Sequence, residues 1–181
     1  MVAAPVDDGG AVHLVPGTQF PDVVLPATRG GEINLGTRPD AAIVYVYPWT
    51  GRPGFADPSG WDDIAGAHGS TPETAGFRDI YAAFQALNIE VFGLSTQDTE
   101  YQQELSGRLG VPFPLLSDTE FRLQKALRLP TFEAGGAPYL RRLTFYVRDG
   151  YIGHVFYPVH PPETHAGEVL AWLSTAGGSN A

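Results

Sequence analysis

Continuous apolar runs alternate along the chain with stretches where apolar residues recur every three or four positions, which predicts strands alternating with helices. Ala41–Tyr47 is an unbroken β-rich run closed by Pro48, the pattern of a strand buried on both faces of a sheet. Ile89–Ser95 and the short Pro114–Ser117 predict two further strands. Between the first two runs, Phe77, Ile80, Tyr81, Phe84 and Leu87 form one helical stripe within Thr71–Leu87. Asp98–Leu109 and Thr119–Leu127 predict two more helices. Arg142–Arg148 and Tyr151–Tyr157 flank Asp149-Gly150, a two-residue hairpin turn, and Pro161–Ser174 predicts a closing helix. Ahead of all these, Gly17–Leu25 and Ile33–Leu35 around Gly30-Gly31 predict an N-terminal β-hairpin.

The resulting order is hairpin, β, α, β, α, β, α, β-hairpin, α. It implies an α/β fold with a central mixed sheet flanked by helices, the thioredoxin-like arrangement. One domain is expected over residues 14–176, with flexible ends at 1–13 and 177–181. Residues 49–69 fit neither rhythm: they carry five glycines, two prolines and three aspartates, and predict a long loop with at most one short helical turn.

Composition narrows the partners. Net charge is −9 with a pI near 4.8, which disfavours nucleic-acid backbones as ligands. No apolar run approaches the ~18 residues of a membrane span. The opening MVAAPVDDGG has two aspartates and no basic cluster before an apolar stretch, so it does not read as a secretory signal, and a soluble cytoplasmic protein is expected. There is no cysteine, which excludes disulfides, thiolate metal ligands and thiol chemistry in the chain as written. No cofactor or metal is called for. His154, His160 and His165 are the obvious imidazoles, but they lack helical ligand spacing and are interleaved with Pro158, Pro161 and Pro162.

The densest local signal is Gly69-Ser-Thr-Pro-Glu-Thr-Ala-Gly-Phe-Arg-Asp79. Ser70 and Glu73 have the spacing of a capping box, Pro72 suits the first helical turn, and Thr71 is an alternative cap. A helix start of this kind also gathers unsatisfied N–H groups and positive potential, a setting that would turn a cysteine into a thiolate but leaves a serine hydroxyl protonated. His68, two residues before Ser70, raises the option of a serine hydrolase, but no G-x-S-x-G elbow is present.

The same eleven residues resemble the Gly-Cys-Thr-x-Glu-x-Cys-x-Phe-Arg-Asp segment of the bacterioferritin-comigratory, or Q-type, peroxiredoxins of the AhpC/TSA family. Gly69, Thr71, Glu73, Phe77, Arg78 and Asp79 match in place, with Ser70 at the peroxidatic cysteine position and Ala75 at the resolving one. The similarity extends to Gly17–Leu25, Val44–Pro48, Gly93–Asp98, Phe113–Asp118 and Arg142–Val147. It implies a thioredoxin fold and a redox-cycling antioxidant oxidoreductase. Such a thiol peroxidase reduces hydrogen peroxide and organic hydroperoxides with electrons from thioredoxin or a similar thiol. The expected state is a monomer or weak homodimer.

By the same resemblance Arg142, the N–H groups around Ser70 and the Thr50 hydroxyl hold the peroxide, with Pro48, Thr71 and Glu73 in support. The family places its proline and threonine only a few residues before the cysteine. Here Pro48 and Thr50 precede Ser70 by 22 and 20 residues, so 49–69 reads as an insertion. Serine for the first cysteine and alanine for the second is the pattern of an engineered double variant made to freeze the reduced, locally folded state. The chain is expected to be catalytically dead on an intact fold. The alternative is a natural cysteine-free pseudo-peroxiredoxin that binds or regulates, using Trp49, Phe55 and Trp61 as a surface; the plainer role for those rings is to fold the insertion onto the domain.

Overall fold

A computed structural model describes residues 3–175. At its centre is a five-stranded sheet in the order β5 (Leu115–Ser117), β4 (Glu90–Ser95), β3 (Ala42–Val46), β8 (Leu143–Arg148), β9 (Tyr151–Phe156). β3 runs parallel to β4, and β4 parallel to β5. β8 pairs antiparallel with both β3 and β9. The β8–β9 turn is the expected one, with Asp149 and Gly150 at φ 50° and 78°, as a tight two-residue hairpin requires.

Because β3 lies mid-sheet, every one of its residues is buried, and alternate side chains build two cores. Ile43 and Tyr45 point into one with Phe77, Phe84, Leu105 and Val169; Val44 and Val46 point into the other with Leu25, Leu35, Leu123 and Leu127. The first core takes its helical residues from α1 (Ser70–Asp79), α2 (Tyr81–Ala86), α3 (Thr99–Leu109) and α5 (His165–Leu173). The second is covered by α4 (Arg122–Leu127) and by the N-terminal hairpin of β1 (Val24–Pro26) and β2 (Glu32–Asn34).

Several boundaries differ from the pattern in the sequence. The stripe from Phe77 to Leu87 is carried by two helices, since the backbone breaks at Ile80 (φ −113°, ψ 16°). α4 begins at Arg122 rather than Thr119, behind Phe121 in the left-handed region. Asp118 holds that start by accepting from the N–H groups of Leu123 and Gln124. A hairpin of β6 (Thr131–Ala134) and β7 (Ala137–Leu140), turning at Gly135-Gly136, was not anticipated.

Within residues 3–13, Ala11 enters the second core, His13 Nε2 lies 2.8 Å from the Leu127 carbonyl, and Asp8 accepts from the Tyr157 hydroxyl at 2.6 Å. Small apolar residues spaced among turn formers anchor the arm, a signal too short for periodicity to register. The expected flexible end at 177–181 lies outside the described residues. No helix among the described residues is long and apolar enough to cross a membrane.

Candidate functional site

The end of β3 delivers the chain into the insertion, and the insertion returns it to the N-terminus of α1 at Ser70. Gly69, at φ 108°, is the N-cap; no side chain caps the helix. The capping-box expectation is therefore overturned. Ser70 is the first residue of α1, and its Oγ accepts from Arg142 Nη2 at 3.0 Å. Glu73, the other half of the expected box, turns inward, and its Oε2 pairs with Arg142 Nη1. Gly69 tolerates no side chain on two counts, since a Cβ there would sit 2.2 Å from Pro162 Cγ in a conformation that already favours glycine.

Ser70, Glu73 and Arg142 thus form one buried constellation, with residue exposures of 2%, 0% and 4%. Burial pushes the Glu73 carboxyl up to about 7, against the opposing pull of Arg142. Arg142, just ahead of β8, is also nested in main chain: Nη2 reaches the carbonyls of Gly66 (3.4 Å), Ala67 (3.5 Å) and His68 (3.2 Å). Arg142 Nε and Glu73 Oε1 are buried without a partner.

The remaining expected residues divide. Thr71 lines a cleft of about 200 Å³ that also touches Ser70, Pro72, Trp49, Trp61 and His68. Thr50 does not turn its hydroxyl to Ser70. Its Oγ1 donates to Gln97 Oε1 at 3.1 Å, its N–H donates to the same oxygen, and its carbonyl accepts from Gln97 Nε2 and Tyr101 OH. Gln97 is a structural partner that the sequence did not single out. Pro48 lies two residues past the end of β3, after Tyr47, whose N–H still donates to the Leu94 carbonyl. Ala75 lies half-buried on α1, five residues past Ser70. That separation is about 7.5 Å along a helix axis, beyond the ~7 Å Cα limit of a disulfide.

The insertion folds down as one of the two readings of its aromatics requires. Trp61, in a 3-10 turn (Trp61–Asp63), is 3% exposed and packs against Trp49, Phe132 and Tyr139 at centroid distances of 5.5, 5.5 and 4.9 Å. Phe55 remains 68% exposed. Asp57, Asp62 and His68 are the set of metal-ligand type among the described residues, with donor atoms within 4.8 Å of one another and all three side chains exposed. His154, His160 and His165 form no such set. His154 stacks on Trp172, and His165 is buried with its Nε2 2.9 Å from Thr144 Oγ1.

Comparison with known proteins bears on the family and the fold. The profile of the AhpC/TSA family matches residues 65–155, half of the chain, from the end of the insertion into β9. The chain belongs to the AhpC/TSA family. Chloroplastic peroxiredoxin Q of Oryza sativa subsp. japonica is 28% identical over 163 residues, which cover 88% of this chain and 66% of the rice protein. The chain thus spans just under two thirds of the length of that relative.

Among solved structures, the bacterioferritin comigratory protein of Xanthomonas campestris superposes with a TM-score of 0.70 at 21% identity. The match covers 90% of this chain and 99% of that one. Peroxidoxin BcpB of Mycobacterium tuberculosis gives 0.70 at 22% identity over 89% and 97%. These likenesses establish the thioredoxin-like peroxiredoxin fold.

Proposed function

We propose that this chain is a peroxiredoxin scaffold without peroxidase turnover. Its thiol-bearing parent reduces hydrogen peroxide and organic hydroperoxides with electrons from thioredoxin or a similar dithiol. In that chemistry a thiolate attacks one peroxide oxygen and becomes a sulfenic acid as the other oxygen leaves as water or alcohol. A second thiol converts the sulfenic acid to a disulfide, and the reductant reopens it. The observation that carries the reading is Ser70 Oγ at the head of α1, 3.0 Å from the guanidinium of a buried Arg142. A thiol at that atom would face unsatisfied helix N–H groups and a cation, both of which favour thiolate. A hydroxyl there stays protonated and has no accessible redox cycle. The chain as written is therefore inert toward peroxide.

A second reading draws support from one feature. The insertion lays three carbonyls on Arg142, and Gln97 holds the Thr50 hydroxyl, so the two groups assigned to peroxide already have intramolecular partners. A natural cysteine-free form, serving as a binding or regulatory module, would tolerate that arrangement. Introducing Ser70→Cys with Ala75→Cys and measuring peroxide-dependent oxidation of reduced thioredoxin separates the two. Turnover supports the silenced-peroxidase reading. A folded double variant that does not react, with Trp61 either in place or replaced by alanine, would favour the binding module.

A further inference from the structure

The insertion does more than lengthen the route from β3 to α1. Its last stretch, residues 61–68, is clamped from three directions. Trp61 is held among Trp49, Phe132 and Tyr139, and the second and third of these rings come from the β6–β7 hairpin. Behind it the N-terminal arm closes in. Pro5 lies so near Gly66 that a Cβ there would meet its ring at 3.3 Å, and the arm is tied down by Asp8 through Tyr157 and Arg141. Underneath, the carbonyls of Gly66, Ala67 and His68 share Arg142 Nη2, and Ala67 is fully buried.

A guanidinium recognises an anion or a peroxide oxygen through N–H groups that are free to point at it. In Arg142, Nη1 is occupied by Glu73 and Nη2 is surrounded by four oxygens at 3.0–3.5 Å. Three of those four belong to the insertion. These contacts are long and compete for two hydrogens, so each is individually weak.

We propose that residues 61–68 are an autoinhibitory plug: their carbonyls occupy the Arg142 guanidinium beside the cleft at Ser70, and that guanidinium is freed for a ligand when Trp61 leaves its aromatic box. The proposal rests on the peroxiredoxin reading of Ser70 and Arg142. It assigns Trp61 a gating role that does not touch the reacting atoms.

The experiment introduces a thiol as a reporter. Ser70→Cys is compared with Ser70→Cys/Trp61→Ala, Ser70→Cys/Tyr139→Leu and Ser70→Cys/Trp61→Phe. The rate of thiol oxidation by hydrogen peroxide is read by mass spectrometry of the trapped sulfenic acid, and thermal unfolding confirms that each variant is folded. Tyr139→Leu loosens the same box from the hairpin side, so the test does not depend on Trp61→Ala folding. Iodoacetamide alkylation under the same conditions reports simple exposure.

The plug requires Ser70→Cys to oxidise slowly, Trp61→Phe to keep it slow, and either loosening change to speed the peroxide reaction at least about tenfold, beyond any gain in alkylation. A fast Ser70→Cys thiol that neither loosening change alters overturns the plug and leaves the family chemistry intact. Equal gains in oxidation and alkylation overturn it too, because they report exposure alone. Thiols no faster than free cysteine in all four variants overturn the plug together with the peroxiredoxin reading.

Discussion

His165 and Glu73 are two buried titratable groups whose effects on stability run in opposite directions. His165 is 1% exposed at the start of α5, with its Nδ1 buried and unpartnered. Burial, and secondarily the charge of Arg142, pull its pKa from 6.5 down to about 4. Between pH 4 and 6.5 the unfolded chain therefore holds a proton on this imidazole that the folded chain does not. Stability rises with pH across that window and is lost as the pH falls through it.

Glu73 does the reverse, because burial raises its carboxyl from 4.5 to about 7. The folded chain keeps that proton longer, so stability is full below 4.5 and declines as the pH rises through 7. At about 1.4 kcal/mol per pH unit, each swing is about 3 kcal/mol, and the two cancel where the windows overlap. Urea unfolding between pH 4 and 7.5 would test this on the unaltered chain, His165→Gln and Glu73→Gln, taking differences so that all other carboxylates drop out. The unaltered chain minus His165→Gln is expected to rise by about 3 kcal/mol between pH 4 and 6.5, then level. The unaltered chain minus Glu73→Gln is expected to fall by a similar amount between pH 4.5 and 7. A flat difference curve, or one of opposite slope, refutes the assignment for that residue.

Three other outcomes follow from the packing. Arg142→Met strands the Glu73 carboxylate in a dry core and is expected to lower stability at pH 7.5 by about 3–5 kcal/mol in denaturant unfolding, with a smaller loss at pH 5, where that carboxyl is protonated. Gly93→Ala places a methyl 2.6 Å from Leu115 Cδ2 and 2.7 Å from the Tyr45 hydroxyl; thermal unfolding should register a loss of about 1–3 kcal/mol. In Ser70→Cys/Ala75→Cys, oxidation to the intramolecular disulfide must unwind the first turn of α1, so far-UV circular dichroism should show helix lost on oxidation and regained on reduction.

Much of the fold was legible because strand and helix rhythms are strong where the core is continuous: Ala41–Tyr47 and the Asp149-Gly150 hairpin fall where their patterns say. The β6–β7 hairpin escaped because its alternation is weak, although Gly135-Gly136 was a usable turn signal. The break at Ile80 also escaped, since one apolar stripe can be shared by two helices.

At the site, Ser70, Glu73 and Arg142 were singled out and do meet, whereas spacing suggested that Ser70 and Glu73 capped a helix. Local periodicity cannot show that an arginine 72 residues away in the chain competes for both side chains. Thr50 was placed by analogy with a shorter loop. Its partner Gln97 becomes visible only when β4 and β3 lie side by side. The carbonyl nest from Gly66 to His68 carries no side-chain signal at all.

The central claim is that a thiol peroxidase site stands here without its thiol. Its most direct test is peroxide-dependent oxidation of reduced thioredoxin by the unaltered chain beside Ser70→Cys/Ala75→Cys, each also in the Trp61→Ala background. The account predicts no turnover from the unaltered chain in either background, turnover from the double-cysteine variant, and faster turnover once Trp61 is removed. Peroxide reduction by the unaltered chain, or folded double-cysteine variants inert in both backgrounds, would contradict it.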